Sequence, residues 1–193
     1  LLALAMTVGL MGLAPAHAET PEEKGLALAQ EADRRDNGWG DAQAEMVMTL
    51  KNRNGDTSVR ENRNKQVEVT GDGDKSMSIF DRPRDVKGTA MLTFTHIKNP
   101  DDQWLYLPAL KRVKRISSRN KSGPFMGSEF AYEKIASPEV AKYTYKWLRD
   151  EVVEGRDCFV IERYPAYEHS GYTRQQVWVD KEMYQPIKMV FFD

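Results

Sequence analysis

The chain has little of what side-chain catalysis usually requires. Cys158 is the one cysteine in 193 residues, so no internal disulfide can form. Beyond His17 the histidines are His96 and His169, and neither stands at metal-ligand spacing from another ligand. The HExxH, CxxC and GxSxG patterns are absent. Both histidines therefore read as surface or strand-end residues, and the chain is expected to be no enzyme, with no catalytic residue, metal or cofactor. Gly88-Thr89 lacks the lysine of a phosphate-cradling loop. Asp72-Gly-Asp74 and Asp101-Asp102 lack the long, Glu-closed loop of a calcium site, and turn chemistry accounts for both. Charge of one sign is missing too. Twenty-eight Lys and Arg face twenty-nine Asp and Glu, a formal net charge of -1, which argues against nucleic acid as a partner.

No apolar run reaches the roughly 20 residues that a membrane-crossing helix needs. The N-terminal stretch, LLALAMTVGLMGLAPAHA, is shorter, is broken by Pro15 and ends in the small-x-small triplet Ala16-His-Ala18. It reads as a signal peptide over residues 1–18, clipped at its N-terminus, with the mature protein starting near Glu19. A buried N-terminal helix is the alternative. An exported chain without disulfides fits a bacterial periplasm better than a eukaryotic secretory route. Cys158, set in an apolar strand pattern, reads as a buried inert thiol rather than a nucleophile.

Residues 19–193 are enough for one domain with a sizeable core. Thr20-Pro-Glu-Glu23 is a helix start with a capping box, and Asn37-Gly38 marks its end. Its small apolar face suits a surface or a sheet rim. From Asp41 the period switches to two. Ala44, Met46, Met48 and Leu50 alternate with polar neighbours. Asn54-Gly55-Asp56 and Gly71–Asp74 are turns, and further strands follow at Lys75–Asp81, Gly88–Ile97 and Trp104–Pro108. Lys111–Ser117 is expected to continue that last strand past Pro108, after a bulge. Residues 118–138 are the least regular part, with a short helix near Ser128–Ile135. Strands resume from Lys142, where Tyr143, Tyr145 and Trp147 alternate, and then at Cys158–Tyr164, Arg174–Asp180 and Pro186–Asp193.

One helix and eight to ten strands joined by tight turns make a mainly β (α+β) protein, an antiparallel meander that curls. Met189–Phe192 breaks off in a strand pattern, which raises the expectation of further strands.

Two constellations stand out. Met46, Met48, Leu50, Met77, Ile79, Leu92, Phe94, Trp104, Tyr106, Tyr143, Tyr145 and Trp147 are expected on one face of the curled sheet. They form either an ordinary core or a soft apolar cavity, since methionine adapts to irregular apolar partners. Lys111, Arg112, Lys114, Arg115 and Arg119 form a basic run, either a solvated strand face or a contact for anionic head groups or an acidic partner.

Trp104–Ile116 (WLYLPALKRVKRI), followed by Phe125–Glu133 (FMGSEFAYE), resembles the outer-membrane lipoprotein-sorting proteins of the LolA-like class. Gly38-Trp-Gly40 before Ala44–Leu50 fits the same pattern, as does Val177–Asp180 followed by Tyr184–Ile187. The resemblance covers most of the mature chain. It implies an incomplete antiparallel β-barrel with a helical lid over an apolar cavity. It also implies acyl-chain lipid or lipoprotein cargo, an inner-membrane transporter and an outer-membrane acceptor. On that basis residues 118–138 are expected to be a cover or gate, and Met48→Glu is expected to weaken lipid binding without unfolding the protein. A periplasmic scaffold module that docks on a transporter without carrying lipid is the alternative; a filled concavity would favour it.

Overall fold

The computed structural model describes residues 18–193. The signal-peptide reading of residues 1–18 falls, but for Ala18, outside the described residues. Among those residues lie one α-helix, α1 (Pro21–Arg35), and ten strands. The strands are β1 (Asp41–Lys51), β2 (Thr57–Val67), β3 (Lys75–Arg82), β4 (Ala90–Phe94), β5 (Asp102–Leu107), β6 (Arg112–Ile116), β7 (Tyr143–Val153), β8 (Arg156–Pro165), β9 (Arg174–Asp180) and β10 (Pro186–Phe192).

Every strand pairs antiparallel with its sequence neighbour, except that the meander divides between β6 and β7. Strands β1 to β6 form one sheet in sequence order, and β7 to β10 form a second. Neither closes on itself, so the fold is an incomplete barrel with open edges. Chain edges at β1 and β6 carry charged side chains, the usual guard against edge-to-edge pairing.

The helix start follows from three residues. Thr20 Oγ1 accepts from the Glu23 amide at 3.1 Å, and the Glu23 carboxylate accepts from the Thr20 amide at 2.8 Å. Pro21 occupies the first helical position, where its missing N–H costs nothing. The helix crosses β7 closely enough that a Cβ on Gly25 would sit 2.7 Å from the Trp147 backbone nitrogen. Leu28 and Ala29 then reach Tyr145, Ile161, Val177 and Val179 of the second sheet. Lys24 Nζ lies 3.5 Å from the centre of the Trp147 ring, and the Arg35 guanidinium stacks over Tyr184. The helix thus covers the second sheet rather than a sheet rim.

Pro108 does not sit within one long strand. Pro108–Leu110 form a single 3-10 turn, Lys111 takes a left-handed conformation (φ 48°), and the chain reverses so that β6 pairs back on β5. Proline removes a ladder donor and pre-sets φ for a turn, which makes reversal cheaper than continuation.

Between the sheets runs the irregular segment 117–142, which holds short 3-10 turns instead of a lone helix. Phe125, with Tyr132 and Ile135, packs on Phe80, Met91, Leu105 and Ile116 of the first sheet. On its other side Ala131 N donates to Tyr172 Oη, and Phe130 meets Phe191 edge-on. Cys158 is fully buried in a separate cluster with Val160 and Trp178, and burial pushes its thiol pKa up.

Candidate functional site

Strand register decides which side chains share a face. Met77 stands opposite Leu92, Leu92 opposite Trp104, Ala90 opposite Tyr106, and Tyr106 opposite Val113. These residues and Phe94 line an apolar groove of about 490 Å³ on the face of the first sheet turned away from the core. Its walls are almost wholly carbon. Phe94 and Trp104 pack edge-to-face, ring centres 5.2 Å apart. Ile79, opposite Ala90, lies on the same face beside it.

The other half of the expected cavity set points elsewhere. Met46 stands opposite Asn62, Asn62 opposite Phe80, and Ser78 opposite Met91. Met46, Met48 and Leu50 therefore share the core face, and Met48 packs on the Phe80 cluster. Tyr143, Tyr145 and Trp147 belong to the second sheet, beneath α1. The twelve residues are thus not gathered in one cavity. Each strand's alternation was correct, but side-chain period two leaves two choices per strand, and only the pairing register chooses between them.

The basic run is likewise divided. Lys114, opposite Leu105, and Arg119 line a mixed pocket of about 420 Å³ at the β6 edge, floored by Leu105, Leu107, Ile116 and Tyr132. Arg112 is opposite Leu107, and Lys111 forms the turn. Arg115 stands opposite Trp104 on the groove face and pairs with Asp102.

At the end of the groove beyond Phe94, His96 is held between two carboxylates. Its Nδ1 is 2.7 Å from Asp72 Oδ2, and its Nε2 is 3.4 Å from Asp102 Oδ2. Asp72 also accepts from the Ile97 amide, and Asp101 from the His96 amide. The His96 hydrogen bond holds the Asp72 carboxyl down at about 2, while Asp72 first and Asp102 second push the His96 pKa up. The two aspartate pairs noted in the sequence act as clasps on this strand end.

The segment between the sheets is pinned by buried polar contacts. Glu133 accepts from Tyr167 Oη at 2.9 Å, Ser170 Oγ at 3.2 Å and the Gly171 amide at 2.8 Å. Gln103 donates to the Tyr132 carbonyl, and Arg60 to that of Met126. Lys134 Nζ donates to Gln175 Oε1, which also accepts from Arg163. Burial first, and Arg163 second, push the Lys134 pKa down to about 7. The segment is thus tied to both sheets by these hydrogen bonds.

The candidate set left out Ala90, which the strand alternation places beside Leu92 and Phe94, and missed Val113 in the groove. Val113 was visible as the apolar residue between Arg112 and Lys114; at 64% exposed it marks the groove's open side. Among the described residues no helix is long and apolar enough to cross a membrane.

Over residues 72–193 the chain matches a family whose description reads only uncharacterized protein. Among curated proteins none matches it. A crystal structure from Vibrio parahaemolyticus, described as an outer membrane lipoprotein-sorting protein domain, is 59% identical with a TM-score of 0.86, covering 89% of this chain and 73% of that one. A DUF1329 family protein from Desulfovibrio piger is 33% identical with a TM-score of 0.82, over 90% of this chain and 74% of the other. A LolA superfamily protein from Nitrosomonas europaea, 18% identical with a TM-score of 0.63 over 88% and 71%, shares the fold. With the antiparallel sheets and the open barrel, these likenesses settle the grouping: the chain has the LolA-like fold and belongs to the same family as the outer membrane lipoprotein-sorting protein domain and the DUF1329 protein.

Proposed function

We propose that this protein is a periplasmic carrier that shelters the acyl chains of a lipid or lipoprotein between the inner and outer membranes. The observation that carries the reading is the groove of Met77, Ala90, Leu92, Phe94, Trp104, Tyr106 and Val113. Its volume falls in the ~300–1,000 Å³ range of small-molecule sites. Each methylene moved from water to such a surface gains about 0.8 kcal/mol. A chain of a dozen carbons is therefore held firmly, yet an open groove lets it leave sideways. In this reading binding and release are the whole activity, and no residue is catalytic. Cargo passes from an inner-membrane transporter to an outer-membrane acceptor, with Lys111, Arg112, Lys114, Arg115 and Arg119 as candidate contacts. The name of the Vibrio relative and the export-like residues 1–18 support the compartment and the cargo class.

One observation favours the scaffold alternative. Phe125, Tyr132 and Ile135 occupy the core face of the first sheet, packed on Phe80, Met91, Leu105 and Ile116. The test is native mass spectrometry of the mature protein purified from its periplasm, followed by titration with long-chain lipids. A bound lipid or acylated peptide, absent from the Leu92→Glu variant, supports the carrier. No bound mass and no uptake of added lipid moves the protein to the scaffold reading.

A further inference from the structure

The groove is apolar inside, but its margin is not neutral. On the same face Lys65 stands directly opposite Met77, and Lys75 lies two residues before Met77 on β3. The two lysines are therefore diagonal neighbours on adjacent strands, roughly 7–8 Å apart at the backbone. Both are exposed. The nearest other cations of this face are already engaged, Arg63 with Asp81 and Arg115 with Asp102. Among the described residues neither Lys65 nor Lys75 has an acidic partner. Lys75 leans inward, its Nζ 4.8 Å from the centre of the Phe94 ring, which is itself a wall of the groove. Two adjacent like charges at the rim of an apolar trough repel each other when empty. An anion between them removes that repulsion, and a chain attached to the anion fills the trough.

We propose that the groove takes one amphiphile with an anionic headgroup, its chain over Met77, Leu92 and Trp104 and its phosphate or carboxylate between Lys65 and Lys75. This rests on the groove being the chain-binding site. The same chemistry excludes cationic amphiphiles, whose heads would meet the lysines.

Chain-matched probes separate head from tail. Dodecyl phosphate, dodecyl maltoside and dodecyltrimethylammonium, each below its micelle concentration at low salt, are titrated into the mature protein by calorimetry. The expected order is phosphate over maltoside by about tenfold, with the cation weakest, and an advantage that shrinks with added salt. Lys65→Gln combined with Lys75→Gln should abolish the order, bringing dodecyl phosphate to the affinity of dodecyl maltoside. Equal affinity for all three probes, or a double variant that keeps the order, overturns the proposal and leaves the carrier reading intact. Failure of every probe to bind overturns both. Inorganic phosphate is expected not to compete. Competition as strong as that of dodecyl phosphate would make this an anion site and overturn the amphiphile. Co-sedimentation with phosphatidylglycerol vesicles, with no lipid taken into solution, would make it a membrane-docking face and likewise overturn it.

Discussion

Met48 carries a test of which face of the first sheet meets a ligand. It is half-buried against the Phe80 cluster, so Met48→Glu places a carboxylate beside apolar side chains. The expected cost is about 1–3 kcal/mol, read as a Tm lowered by several degrees in a thermal melt. Leu92→Glu, on the groove face, should leave the Tm near that of the parent and remove chain binding. The opposite pattern would move the site to the core face. His96 offers a second test at this scale. Its pKa is raised in the fold by Asp72 and then Asp102, so the unfolded chain, with a value near 6.5, binds fewer protons as pH rises through that value. The stability contributed by His96 is therefore fully present below about pH 6.5 and is lost as pH climbs through the folded value. Melts of the parent and of His96→Gln should differ at pH 5.5 and converge at high pH. Asp72, held at about 2, adds stability that disappears only in acid, as pH falls below about 4 toward that value, so the two effects occupy separate windows.

Segment 117–142 is the element whose form the sequence concealed. Strands announced themselves through alternation, and Thr20-Pro-Glu-Glu23 announced α1 through its capping box. Residues 117–142 have no period, because they follow the irregular space between two sheets rather than a repeating ladder. Register was hidden for a related reason: Met46 and Met77 look equivalent until the pairing Met46–Asn62–Phe80 puts them on opposite faces. Pro108 and Leu110 likewise looked like a bulge because the turn they form has no glycine signature. The buried ammonium of Lys134 makes this segment sensitive to pH. Its folded value, about 7, lies below the free value of about 10.4, so between these limits the unfolded chain carries the extra proton. Stability must then rise with pH across that span. Lys134→Met should raise the Tm at pH 6 and have no such benefit above pH 10, since Gln175 Oε1 keeps Arg163 as a partner. An equal shift at both pH values would show that Lys134 is not penalised by burial.

At the scale of the whole molecule two arrangements can bind a chain. Either the segment between the sheets swings out and the chain enters the core space, or the segment stays and the chain lies in the outer groove. The contacts favour the second. Opening would expose Phe125 and Phe80, would strip Glu133 of its three donors, and would leave Gln103 without the Tyr132 carbonyl. Stranding buried polar groups costs about 1–3 kcal/mol each, more for a charge, and a dodecyl chain would have to offset all of it. The groove needs no such rearrangement. Hydrogen exchange distinguishes the two. With saturating dodecyl phosphate, the amides of Phe125, Tyr132 and Glu133, bonded to Phe130, Gly123 and Lys121, should exchange as slowly as in the free protein. The Trp104 environment, followed by fluorescence against a Trp104→Phe control, should change in the same titration. Faster exchange in segment 117–142 on adding the amphiphile would make that segment a gate and place the chain between the sheets.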